Sequence, residues 1–192
     1  LKGSPTIDVL AENTSSSAYL ADDRFLRIVH RRRPVDSSVH LPDPKAFMFE
    51  HQLFGFWVDT DIPLLQRIGA SSFGNPTEAD LVPETGSARY VGTALGRVTL
   101  ADRSSFDVAS DVTLNADFVT KSVAFAAAEP RDLTTGALTS TLAAAGSMAI
   151  TGNTFRGELT TVGGWRGLID GPFFGPGAVA AGGGAPARGG GT

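Results

Sequence analysis

Apolar and polar positions alternate with period two through much of the second half of the chain. Over residues 111–118, Val112, Leu114, Ala116 and Phe118 share one face, while Thr113, Asn115 and Asp117 share the other. That alternation marks a strand with one wet face. Residues 121–127 repeat it with Val123 and Phe125. Residues 147–151 and 154–161 flank Gly152-Asn153, two residues that tolerate positive φ and so predict a tight hairpin. Residues 164–174 continue with Trp165, Gly167, Ile169, Gly171 and Phe173 on one face, and shorter candidates lie at 89–95 and 96–101. Six or seven short strands joined by tight turns predict an antiparallel meander, which escapes its edge problem most easily by closing into a barrel. The alternation predicts that Val112, Leu114, Phe118, Phe125, Ile150, Phe155, Leu159, Trp165 and Ile169 are mainly buried.

The first 85 residues read differently. They hold all three histidines (His30, His40 and His51), the basic run Arg31, Arg32 and Arg33, and most of the prolines. Residues 24–30 alternate as a strand. Residues 46–58 are strongly apolar and aromatic; Asp43-Pro44 would suit a helix start, but the aromatic density around Gly55 favours a buried strand. Residues 59–74 are ambiguous, with room for one more short strand. The division predicts an N-terminal unit over 1–85, a barrel over 86–183 and a Gly/Ala-rich tail over 184–192. The tail has too little apolar side chain to offset its ordering entropy, so weak order is expected beyond Gly183.

Composition narrows the function classes. Among 192 residues there are 23 Gly and 11 Pro, which fits many turns, and 42% of the chain is hydrophobic, enough for a core. The net charge of −4 argues against a nucleic-acid binder. No apolar run reaches the roughly 18–20 residues of a membrane-spanning helix. Cysteine is absent, which excludes disulfides, zinc–cysteine sites and a cysteine nucleophile within these residues. A start at Leu1 with no charged-then-apolar leader is what an exported chain would show once its signal is removed.

Several motifs, in order along the chain, resemble those of the bacterial transferrin-binding protein B family. Residues 86–96, with Arg89, Tyr90, Gly92 and Gly96, resemble the opening strand of that family's barrel. Asp111-Val112-Thr113-Leu114-Asn115-Ala116-Asp117-Phe118 is similar to its leucine-threonine-alanine-aspartate-phenylalanine strand, and Ile150-Thr151-Gly152-Asn153-Thr154-Phe155-Arg156-Gly157 to its signature hairpin. Gly164-Trp165-Arg166-Gly167, followed by Gly171-Pro172-Phe173-Phe174-Gly175-Pro176-Gly177-Ala178, resembles the segment that follows. Phe54-Gly55-Phe56-Trp57-Val58 resembles the motif that precedes the barrel. The resemblance implies an all-β chain, with a small handle of short strands before an up-and-down antiparallel barrel of about eight strands. It implies a surface lipoprotein or secreted binding protein, outside the cell or on the outer-membrane surface, several relatives of which serve iron or haem acquisition. One departure stands out. After Ala180 the family continues into a closing strand, whereas this chain runs into glycine and alanine. Closure at the C-terminal end is therefore expected to be compromised or unusual, with strand-mediated self-association as one remedy.

Candidate chemistry is sparse. The histidine spacings of 10 and 11 residues match no zinc pattern. His51, with Phe54 and Trp57 nearby, is the candidate axial ligand if haem is bound, against the plainer reading of a partly buried histidine in an aromatic core. Arg31, Arg32 and Arg33 would grip an acidic partner, or simply form a solvated edge, since Asp22, Asp23 and Asp36 neutralise them locally. Asp59 and Asp61 read as a turn signal. No glycine-x-serine-x-glycine elbow occurs, and the glycines at 182–184 lead into no phosphate-binding helix. The expectation is a non-enzymatic binding protein that needs no cofactor and captures a protein or haem-type ligand. The alternative is a structural subunit of an extracellular assembly.

Overall fold

The computed structural model describes residues 8–12, 16–21, 24–29, 51–62 and 65–188. His30, His40, Arg31, Arg32, Arg33 and residues 46–50 of the expected aromatic strand lie outside the described residues. The first sheet is a five-stranded antiparallel meander of β1 (Asp8–Glu12), β2 (Ser16–Ala21), β3 (Arg24–Val29), β4 (Gln52–Ile62) and β5 (Leu65–Gly74). β3 lies where alternation placed a strand. β5 is longer than the short strand expected within 59–74. Its extent comes from pairing with β4, which runs from Gln52↔Gly74 to Asp59↔Arg67. Partner contacts of this kind outweigh the weak local propensity of Gly69, Ser71 and Ser72.

The second sheet contains β6 (Ser87–Thr99), β7 (Ser105–Asp117), β8 (Ser122–Asp132), β9 (Ala144–Thr151), β10 (Thr154–Thr161) and β11 (Arg166–Phe174), each antiparallel to the next. Two two-residue strands, β12 (Ala180–Ala181) and β13 (Ala187–Arg188), follow on the far side of β11. Together these eight strands form one nearly closed, barrel-shaped sheet; the only helical elements among the described residues are three single 3₁₀ turns. The two short strands expected at 89–95 and 96–101 are one continuous strand, β6. Gly96 does not break it, because it sits in register with Val108 and a β-carbon there would meet nothing closer than 3.8 Å. On β8, Glu129 and Pro130 together face the single residue Ser110 of β7. Glu129 has φ +47°, and the bulge accommodates a proline that has no N–H for the ladder.

The interior is filled by side chains. Leu114, Phe118, Val123, Met148, Ile150, Phe155, Leu159, Ile169 and Phe173 form a buried cluster, with Val112, Phe125 and Tyr90 packed half-buried against it. Phe173 lies at its centre, with ring centroids 5.4 Å from Phe155, 5.9 Å from Phe118 and 6.1 Å from Tyr90. Each such ring contributes on the order of 1.5–3 kcal/mol through burial alone. Trp165, expected inside, is half-buried in the turn before β11.

Closure is incomplete. Among the described residues no ladder joins β6 to β12 or β13. Residues 184–188, expected as part of a weakly ordered tail, do pair with β11, through the bridge Asp170↔Gly184 and the pairs Gly167↔Ala187 and Arg166↔Arg188. Their small side chains permit this. A β-carbon on Gly171 would run into the Gly182 carbonyl and come within 2.6 Å of Gly183 Cα. The first sheet packs along the same seam: Gln52 Oε1 and Ser72 Oγ face Gly182, and Ala70 faces Gly184.

Candidate binding surface

The two ends of the barrel are built differently. At one end the connections are short: residues 118–121, the hairpin turn at Gly152-Asn153, and residues 175–179. Gly152 adopts φ +58°, as the hairpin reading requires, and the Asn153 amide donates to the Thr77 carbonyl at 2.7 Å. In the first of these turns Asp117 Oδ1 accepts the N–H groups of Thr120 (3.0 Å) and Val119 (2.9 Å), which hold its carboxyl below the usual carboxylate range.

This end is also where the two sheets are joined. Asn75 N–H donates to the His51 carbonyl (3.1 Å), Gly175 N–H to the Asn75 carbonyl (2.9 Å), and Thr77 Oγ1 to the Gly175 carbonyl (2.7 Å). The half-buried His51 ring lies against Gly175, where a β-carbon would sit 2.6 Å from Cδ2. Gly175 has φ 74° and ψ 177°, a backbone conformation open essentially to glycine only. Tyr90 Oη donates to the Ala178 carbonyl at 2.6 Å, tying the first barrel strand to the turn that precedes β12. Burial pushes the Tyr90 phenol up to about 12, so it remains a donor throughout the physiological range.

At the other end lie residues 100–104, 133–143 and 162–165, the connections that an antiparallel meander necessarily brings to one side. They are pinned rather than loose. In the first, Asp102 Oδ1 accepts the Ser104 hydroxyl (2.6 Å) and N–H (2.9 Å), which keep its carboxyl below the ordinary range. In the second, Asp132 Oδ1 accepts Thr134 N–H (2.6 Å) and Thr135 N–H (3.0 Å), while Thr139 N–H reaches the Pro130 carbonyl (2.7 Å). The third is bonded to the second: Val162 N–H donates to the Ala143 carbonyl (2.8 Å) and Gly163 N–H to the Thr141 carbonyl (2.7 Å). Each connection presents one exposed large aliphatic side chain, Leu100 at 43%, Leu138 at 53% and Val162 at 76% exposure, whereas at the short-turn end two of the three turns do so, with Val119 and Val179.

Of the residues singled out from the sequence, the described three lie on or beside one strand of the first sheet. His51 precedes β4, Phe54 is half-buried within it, and Trp57 lies further along it in register with Leu26 and Gly69. Arg31, Arg32 and Arg33 lie outside the described residues. Among the described residues no group of three or more His, Asp, Glu or Cys gathers as a metal site would require. The aliphatic residues of the loop end were not picked out from the sequence. Their signal was present but weak: a lone Leu or Val beside Ala101-Asp102, Gly136 or Gly163-Gly164 looks like any loop residue until topology brings the three connections together.

No protein-family profile matches this chain, and no curated protein does. Solved structures do. A single-site mutant of the vaccine antigen Transferrin Binding Protein B from Haemophilus parasuis Hp5 superposes with a TM-score of 0.59 at 14% identity, over 95% of this chain and 39% of that one. A double mutant of the same antigen gives 0.57 at 15% identity over 94% and 37%, and intact Ap-TbpB (N and C lobes) gives 0.55 at 15% over 93% and 38%. The chain thus spans about two fifths of the length of those structures. At such low identity the likeness establishes a shared fold alone, an all-β chain with a nearly closed antiparallel barrel.

Proposed function

We propose that this chain is a non-enzymatic binding protein of the cell exterior, which captures a partner protein through the loop end of its barrel. One observation carries the reading. The barrel interior is filled around Phe173, so the exposed surface is left to do the binding, and three connections at the same end, the first held by its own hydrogen bonds and the other two bonded to each other, each present one exposed large aliphatic residue. Braced loops lose little entropy on docking, and apolar side chains on a polar rim are what a protein interface uses. The fold shared with Transferrin Binding Protein B supports capture of a protein rather than catalysis, and with it surface display in the service of nutrient acquisition.

The test is retention. Immobilised purified protein is exposed to the extracellular fluid of its native surroundings, and retained proteins are identified by mass spectrometry. The combined variant Leu100→Asp, Leu138→Asp and Val162→Asp should lose the retained protein at least tenfold, while His51→Ala keeps it. Equal retention by the triple variant would contradict the proposal.

A further inference from the structure

We propose that residues 175–188 form an exchangeable strap, and that two copies of this chain trade straps so that each barrel receives its last strand from the other. The strap is the most weakly attached part of the barrel. Two pairs hold β12 (Phe174↔Ala180 and Phe173↔Ala181), one bridge holds Gly184 and two pairs hold β13, all on the β11 side. Among the described residues no strand pairs with its far side, where the first sheet packs against Gly182 and Gly184 without a ladder. The side chains of residues 180–187 are Ala, Gly and Pro, so undocking gives up little apolar burial.

The hinge favours release. Gly175, Gly177 and Ala178 all take positive φ (74°, 63° and 59°), and Ala178 does so while buried, a strained conformation for a residue with a β-carbon. Short hinge loops under strain invite domain swapping. The docked strap also leaves Gln52 Oε1 and Ser72 Oγ buried against Gly182 with no hydrogen-bond partner among the described residues, which weakens that contact further. Beyond the junction bonds at Gly175, where the strap begins, the side-chain pin on it is the hydrogen bond from Tyr90 Oη to the Ala178 carbonyl. Once the strap leaves, β11 presents a bare row of N–H and C=O groups, and the segment that fits it residue for residue is the same strap from another copy.

The absence of cysteine allows a direct test. Arg166 and Arg188 are exposed Cα partners across the β11–β13 pair, so replacing them should leave the fold intact. Protein carrying only Arg166→Cys is mixed with protein carrying only Arg188→Cys, concentrated, warmed below its unfolding temperature and then oxidised. Strap exchange predicts a disulfide-linked heterodimer at several times the yield of the homodimers formed by either protein alone. At incubation times short of exchange equilibrium, adding Tyr90→Phe to both should raise that yield about fivefold or more, because one hydrogen bond that must break to release the strap is gone. A heterodimer yield no greater than that of the homodimers, or an early yield indifferent to Tyr90→Phe, would overturn the proposal.

Discussion

The β9–β10 hairpin and the seam at β11–β13 are both glycine-bearing antiparallel pairings, yet they are held very differently. β9 and β10 pair through eight consecutive residues, from Thr154↔Thr151 to Thr161↔Ala144, and bury Met148, Ile150, Phe155 and Leu159. The seam pairs in fragments, with alanines and glycines on its strap side and, among the described residues, no partner strand beyond. Glycine content does not separate the two regions; the number of large side chains facing the core does. A ladder supported by buried rings and branched chains runs unbroken, while one supported by methyl groups is interrupted and needs side-chain pins such as Tyr90 and junction contacts such as Thr77 to Gly175.

The comparison breaks most forcefully at Phe155. Phe155→Ala should cost about 3–5 kcal/mol, read from denaturant unfolding, because it removes a fully buried ring from the well-supported hairpin. Gly175→Ala strikes the junction instead. Its β-carbon meets the His51 ring on a backbone reserved for glycine, and the expected loss is about 2–3 kcal/mol. Pairing it with His51→Ala should recover part of the loss, since that clears the collision but leaves the backbone strain.

Tyr90→Phe is smaller, about 1 kcal/mol for one hydrogen bond, and it has a pH signature. The folded phenol titrates at about 12, against 10.0 when unperturbed, so the fold favours the protonated form. That contribution is fully present below pH 10 and is lost as pH rises toward 12. Wild-type stability should therefore fall more steeply than that of Tyr90→Phe between pH 10 and 12. The loop-end changes Leu100→Asp, Leu138→Asp and Val162→Asp should each stay within about 0.5 kcal/mol, as exposed substitutions do. Their effect belongs to binding.

Much of the barrel was legible in the sequence because its strands have one face toward a core. Of the nine positions expected inside, Leu114, Phe118, Ile150, Phe155, Leu159 and Ile169 are buried, and Val112, Phe125 and Trp165 are half-buried. Where alternation lapsed, pairing decided. Gly96 looked like a break yet lies mid-strand opposite Val108, and Ala187-Arg188 had no strand character yet pair with β11 because glycines let the backbones approach. The unusual C-terminal closure was readable from the missing branched and aromatic residues. The candidate surface was not. Leu100, Leu138 and Val162 are 62 residues apart from first to last, and only the up-and-down topology brings their connections to one end. His51 drew notice for its chemistry, yet its ring packs on Gly175 at the junction.

The central claim is that a protein partner docks on the loop end of a filled barrel. Amide hydrogen exchange of the chain, free and with its captured partner bound, tests this most directly. The account predicts that new protection falls on residues 100–104, 133–143 and 162–165, with exchange at 118–121 and 152–153 unchanged. Protection confined to the short-turn end or to the first sheet, with the three loop-end connections exchanging as in the free chain, would contradict it.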